Sequence, residues 1–216
     1  MINRRILVGA ITRIFLFSLI SVSLFAELRV GTYNVRNYLM TDRLADGTWR
    51  KNYPKPENEK TALREIIARE KPDILAIQEM GVAPYLQELL RDLKRINGID
   101  YPHHVLMDGA DPDRHLAFIS KIPFEKVLQY KDLGYNYFGK PEVVRRGLLE
   151  AQFKTGDIDW SLYTVHLKSK WTERDDDPEA AKKRESEATA VRNFLKKKHP
   201  PEGKYPYLLV GDFNDT

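Results

Sequence analysis

Cysteine is absent from all 216 residues. That removes disulfides, thiolate metal sites and a cysteine nucleophile from consideration. Low-complexity tracts and interdomain linkers are missing too. Only one long apolar run occurs, Ile14 to Ala26, interrupted by nothing but small hydroxyl residues. It is shorter than the roughly 20 residues a membrane span needs. With the basic stretch Met1 to Arg5 ahead of it, residues 1–26 read as a secretory signal peptide cleaved after Ala26, the alternative being an uncleaved anchor. A secreted or periplasmic location is expected, since a bacterial periplasm or exterior does not require disulfides.

A strong basic excess is lacking as well. The chain carries 35 Lys and Arg against 31 Asp and Glu, a net charge of +4. Removing the leader takes away Arg4, Arg5 and Arg13 and no acid, leaving 32 against 31. A domain that grips nucleic acid electrostatically usually shows a pronounced positive surplus, and this one does not. The remaining residues, 27–216, suffice for one core and predict one domain. A monomer with no stable membrane span is expected.

Periodicity divides the chain into alternating elements. Leu28 to Val35 and Ile74 to Gln78 read as strands. Glu59 to Glu70 reads as a helix with Leu63, Ile66 and Ile67 on one face, and Tyr85 to Ile96 as a second helix. Strands are predicted near 101–107, 115–120, 126–133, 146–154 and 158–168, the last two joined by Gly156-Asp157. A long helix follows over about 179–198, with Val191, Phe194 and Leu195 inward, ended by Pro200-Pro201. The apolar run Tyr205 to Val210 is a final strand that leads into Gly211-Asp-Phe-Asn214.

One arrangement occurs twice. A strand carrying Asn34 leads through a helix to a strand ending at Glu79, 45 residues on; a strand ending near His166 leads through a helix to Asp212, 46 residues on. Strand–helix–strand crossovers make parallel strands whose carboxyl ends share a side. The four polar residues are therefore expected to converge on one crevice, where open α/β sheets place their ligands.

These segments carry a resemblance. Gly31-Thr-Tyr-Asn-Val-Arg36, Pro72-Asp-Ile-Leu-Ala-Ile-Gln-Glu79, Leu116-Ala-Phe-Ile-Ser120, Thr164-Val-His-Leu167 and Val210-Gly-Asp-Phe-Asn214 resemble, in order, motifs of the endonuclease/exonuclease/phosphatase superfamily with the fold of pancreatic deoxyribonuclease. The resemblance implies an α+β four-layer sandwich, in which two mixed, mostly antiparallel sheets pack together between helices. It also implies a metal-dependent phosphoester hydrolase using an activated water. Glu79 would be the principal Mg²⁺ ligand, with Asn34 beside it as ligand or orienting amide; oxygen donors suit Mg²⁺, Mn²⁺ or Ca²⁺ rather than zinc. His166 would stabilise charge on the phosphate. Asp212 and Asn214 would position the attacking water and a phosphate oxygen. Taken singly, Glu79 could be an ordinary strand-end acid, His166 a half-buried histidine, and Asn34, Asp212 and Asn214 turn residues.

Lys168, Lys170 and Trp171 could contact a phosphate or stack a base, or line a surface loop. Asp175-Asp-Asp177 reads as a solvated loop at a helix amino terminus, and Lys196-Lys-Lys198 complements the other end of the same dipole. Arg145-Arg146 and His103-His104 receive no role. Superfamily members finish on a strand ending in Asp-His, whose histidine is taken as the general base. No such pair follows Asp212, and His199 precedes it in the wrong context. The expectation is an incomplete domain over 27–216 that lacks the last strands of its second sheet and is poorly folded and catalytically silent by itself. The substrate is a phosphoester, with DNA or RNA the default by analogy. A phospholipid or small phosphoester hydrolase and a non-catalytic binding relative are the alternatives.

Overall fold

The computed structural model describes residues 27–215. Its elements run β1 (Val30–Tyr38), β2 (Thr41–Ala45), β3 (Thr48–Tyr53), α1 (Glu57–Glu70), β4 (Ile74–Met80), α2 (Ala83–Asn97), β5 (His103–Met107), β6 (His115–Ser120), β7 (Lys126–Tyr130), β8 (Gly134–Tyr137), β9 (Lys140–Val143), β10 (Leu148–Thr155), β11 (Ile158–His166), α3 (Ala181–Lys198) and β12 (Tyr207–Asp212). The proposed leader, residues 1–26, lies outside the described residues.

Two four-stranded sheets form, in the orders β1-β4-β6-β5 and β12-β11-β10-β7. The crossovers behave as expected: β1 pairs with β4 and β11 with β12 in parallel, while the other pairings in both sheets are antiparallel. Alternation of side chains along each strand divides the apolar residues into two sets. On β4, Ile74 and Ala76 face the second sheet while Leu75 and Ile77 face α1 and α2. On β11, Trp160 and Leu162 face the first sheet while Tyr163 and Val165 face α3. Three apolar layers result: helices on sheet, sheet on sheet, and sheet on helix. This is the four-layer sandwich expected from the sequence.

Helix faces are narrower than the pattern suggested. Leu63 and Ile67 of α1 are buried, but Ile66 is exposed, as is Ile96 at the end of α2. Gly98 ends α2 in the left-handed conformation, and its N–H reaches back to Leu93 O. The tract before α3 is not a uniformly solvated loop. Asp177 is buried, accepting from the backbone N–H groups of Lys182 (2.8 Å) and Lys183 (3.1 Å) and from Tyr137 Oη (2.8 Å). It satisfies otherwise orphan donors at the start of α3.

Two hairpins were missed in the sequence. β2 and β3 turn at Asp46-Gly47, and β8 and β9 at Phe138-Gly139, all four residues having positive φ. Asp-Gly is a strong hairpin signal. It went unread because β3 is almost wholly exposed and shows no apolar alternation.

The far end of α3 is fixed electrostatically. Glu150, fully buried on the α3 face of β10, accepts from Tyr130 Oη at 2.6 Å, Ser161 Oγ at 2.8 Å and Gln152 Nε2 at 2.9 Å, and pairs with Lys198. Burial alone would raise its pKa, but these donors outweigh burial and hold it down to about 2 from 4.5. Because the folded-state value is depressed, the stabilisation is complete above pH 4.5 and disappears as pH falls toward 2. The linkage is on the order of 3 kcal/mol. Acid unfolding followed by circular dichroism should therefore be shallower over this window in Glu150→Gln than in the parent; matching slopes would rule Glu150 out as the acid-sensitive lock.

Candidate active site

The inner faces of four strands change character at their carboxyl ends. β1 runs Val30, Thr32, Asn34; β4 runs Ile74, Ala76, Gln78; β11 runs Leu162, Thr164, His166; β12 runs Leu208, Val210, Asp212. Each alternation starts apolar, inside the sandwich except at exposed Leu208, and ends polar at its rim. Register places Asn34 beside Gln78 and His166 beside Asp212. Buried Gln78 donates through Nε2 to Thr32 Oγ1 (3.1 Å) and to Thr164 Oγ1 on the opposite sheet (3.0 Å). It forms the polar floor of the site.

Glu79 breaks the alternation. Next in line after Gln78, it should point toward the helices. Instead its φ is +61°, and the pairing of β4 with β6 shifts register between Ile77 and Met80. The bulge turns its carboxylate back to the rim, a use of irregular strands common beside active sites. Arg36 and Asn37 are also left-handed. Their backbone N–H groups bond Asn34 Oδ1 (2.9 Å) and Glu79 Oε2 (2.8 Å), respectively.

Asn34 Nδ2 donates to Glu79 Oε1 at 3.0 Å and to Asp212 Oδ2 at 2.7 Å. A single amide thus links an acid from each sheet. With its oxygen held by Arg36, Asn34 is arranged here as an orienting group. His166 Nε2 stands 3.8 Å from both Glu79 Oε1 and Asp212 Oδ2, too far for hydrogen bonds. The ring is buried and its Nδ1 has no partner. Burial pushes its pKa down, Arg146 adds to the effect, and Glu79 and Asp212 oppose it.

Close strand approach sets Asp212. Gly211 has φ +142°, and a Cβ there would lie 2.0 Å from Val165 O. Any side chain would push the two strand ends apart. Asn214, also left-handed, donates its backbone N–H to Asp212 Oδ1 (2.9 Å) and its amide to Leu167 O (2.9 Å). Its side chain is thereby tied to the backbone beyond β11, where it steadies Asp212.

A cleft of about 400 Å³ opens beside Glu79 and His166, walled by Arg114, Arg145, Arg146, Lys168 and Trp171. Lys168 Nζ bonds Ser169 O (3.0 Å) and reaches Trp171 O, so the lysine folds back along its own loop. Lys170 is not part of the wall and points to Glu179 Oε2 at 3.9 Å. Glu187 of α3 escaped sequence reading because it sits in a charged helix, yet it is fully buried. It accepts the backbone N–H groups of Lys168 (2.7 Å) and Arg145 (3.3 Å), holding two walls together. A hollow of about 450 Å³ at the other end of the second sheet contains His199. That ring stacks on Tyr205 and Tyr207 at 4.9 Å each and bonds Tyr163, away from the acids.

The donor set fits a hard divalent cation. Among the described residues, no Lys or Arg lies within 4 Å of either Glu79 or Asp212 carboxylate, and no group of three His, Asp or Glu forms a ready cage. Two acids held together by an amide, with lone pairs to spare, suit an ion that keeps several waters and takes its other ligands from phosphate.

The Endonuclease/Exonuclease/phosphatase family model matches residues 31–216, and the chain belongs to that family. No curated protein sequence matches it. Among solved structures, the human Nocturnin catalytic domain with bound sulfate is similar at TM-score 0.58 and 17% identity, over 87% of this chain and 64% of that one. Sphingomyelinase C from Streptomyces griseocarneus gives 0.51 and 19%, over 87% and 64%. Staphylococcus aureus beta toxin with bound magnesium ions gives 0.54 and 14%, over 88% and 65%. The chain thus spans slightly under two thirds of these three structures. At such identities the likeness establishes the fold. No helix among the described residues is long and apolar enough to cross a membrane.

Asn34→Asp replaces the bridging donors with a third acid. It should cost about 1–3 kcal/mol of unfolding free energy without metal, and millimolar Mg²⁺ should recover part of the loss. Thermal melts with and without Mg²⁺ measure both effects; an unchanged metal-free melt would mean that the amide bridge holds nothing.

Proposed function

We propose that this protein is an exported, divalent-metal-dependent phosphoester hydrolase. The observation that carries this reading is the meeting of Glu79 and Asp212, one acid from each sheet, on the amide of Asn34, with His166 at 3.8 Å from both. Export rests on the basic leader and apolar run of residues 1–26.

Glu79 would hold the cation, with Asp212 beside it; Mg²⁺ is the ion of choice, and Mn²⁺ or Ca²⁺ would satisfy the same oxygen donors. When bound, the cation supplies Lewis-acid polarisation of the phosphate. Asn34 keeps Glu79 and Asp212 at fixed separation and spares them reorganisation during turnover. His166 Nε2 makes no hydrogen bond to the acids, so the ring can donate one to a phosphate oxygen bound alongside them as charge builds. Asp212, steadied by the Asn214 N–H, orients water toward phosphorus. His199 is too far displaced to serve as base.

The substrate class follows from charge. With near balance outside the leader, no net positive surplus draws a duplex nucleic acid, while Arg114, Arg145, Arg146 and Lys168 line the cleft. A small phosphodiester, nucleotide or lipid-derived, therefore fits better than a long duplex.

Glu79→Gln keeps the side-chain shape and removes the charge. It should weaken Mn²⁺ binding, read by calorimetry, and lower Mg²⁺-dependent phosphodiester hydrolysis by about 10²–10³-fold, with some loss of melting temperature because its NH₂ must face one of the N–H donors of Asn34 or Asn37. Undiminished turnover and metal affinity would exclude Glu79 from the centre.

A further inference from the structure

Four cations crowd the cleft beside the acids, and one of them has unmet hydrogen-bonding capacity. Arg146, just before β10, is nine-tenths buried, yet its Nη1 has no partner. Its Nε lies 3.0 Å from Asp111 Oδ2 without a well-directed hydrogen bond. Arg145 Nε approaches the same oxygen at 3.5 Å. Asp111 Oδ1 is already committed to the backbone N–H groups of Asp113 (3.1 Å) and Arg114 (3.2 Å). One carboxylate therefore faces Arg145 and Arg146 together, and Arg114 and Lys168 add two further charges to the same wall.

The wall is built rather than incidental. Asp111 N–H donates to Arg145 O at 3.1 Å. A Cβ at Gly109 would lie 2.9 Å from Arg146 O, so the loop after β5 can press against the Arg145-Arg146 backbone only with glycine there. Arg114 Nε donates to Asn37 Oδ1 at 2.7 Å, and Asn37 N–H in turn bonds Glu79. The guanidinium is thus positioned from the acid centre itself. The cations also oppose one another: burial lowers the pKa of Arg146, Asp111 and Glu187 resist that, and Arg145 and Arg114 add to it, while burial and Arg146 lower that of Lys168. Four cations facing two acids, Asp111 and Glu187, are relieved by an anion, and a guanidinium fork matches phosphate oxygens.

We propose that Arg146, with Arg114 and Arg145, forms a second phosphate subsite, so that the preferred substrate carries a phosphomonoester next to its scissile phosphodiester. This rests on the hydrolase reading above, in which Glu79, Asp212 and His166 handle the scissile phosphate and leave these arginines free.

The test compares the dinucleotide thymidylyl-thymidine with the same molecule bearing a 5′-terminal phosphate, on the full chain with Mg²⁺. The terminally phosphorylated form should have a kcat/KM at least about tenfold higher, and Arg146→Met and Arg114→Gln should each bring the ratio toward one. Equal use of both by the parent, or an unaltered ratio in both variants, would overturn the subsite. Calorimetry without metal separates this from failure of the hydrolase reading. Pyrophosphate should bind at least about tenfold tighter than phosphate, lose that advantage in folded Arg146→Met, and keep it in Glu79→Gln. No turnover with this pattern intact would sink the hydrolase reading and support the subsite. Equal binding of pyrophosphate and phosphate, or a pyrophosphate advantage retained by both arginine variants, would overturn the subsite.

Discussion

The amide of Asn34 joins the two sheets of this protein at the rim of the candidate site. Each sheet brings an acid to the rim, Glu79 from one and Asp212 from the other, and a single Nδ2 donates to both. One layer below, Gln78 bridges Thr32 and Thr164 across the same gap. The sandwich interior is apolar, so an unpaired polar group at its edge would be costly. The paired amides let polarity begin abruptly at the strand ends. Without them, the two acids would face each other across the gap with no shared donor.

Strain and close approach complete the positioning. Glu79 reaches the rim only through a left-handed bulge, and Asp212 only because Gly211 lets β12 lie against Val165. Behind the site, Glu187 fastens the two loops that carry Arg145 and Lys168, and Glu150 anchors the opposite end of α3 to the second sheet. The cleft consequently has two electrostatic halves. One presents acids with no Lys or Arg among the described residues within 4 Å, the other four cations against the buried acids Asp111 and Glu187.

Much of this was visible in sequence because strand alternation is local. Asn34, His166 and Asp212 stand in phase with the apolar residues before them, and the repeated strand–helix–strand spacing gave the parallel pairings. What stayed hidden depended on departures from that phase or on partners remote in sequence. The return of Glu79 to the rim needs a bulge that no periodicity encodes. Arg146 and Glu187 look like surface charges until the Asp111 loop and α3 are folded over them. Lys170 shares the spacing of Lys168 yet turns away to Glu179, and Asn214 proved to be a brace between backbone segments. The Asp46-Gly47 pair does encode its hairpin through turn chemistry, although the exposed charges of β3 carry no alternation.

In the function proposed above, Glu79 and Asp212 form a single centre for a hard divalent cation. Anomalous diffraction from crystals of the protein soaked in Mn²⁺ tests it most directly. A Mn²⁺ peak within coordination distance of a Glu79 carboxylate oxygen, on the side shared with Asp212 and absent from Glu79→Gln crystals, is the predicted result. Mn²⁺ bound only elsewhere, or no ordered ion near Glu79 at millimolar concentration, would contradict it.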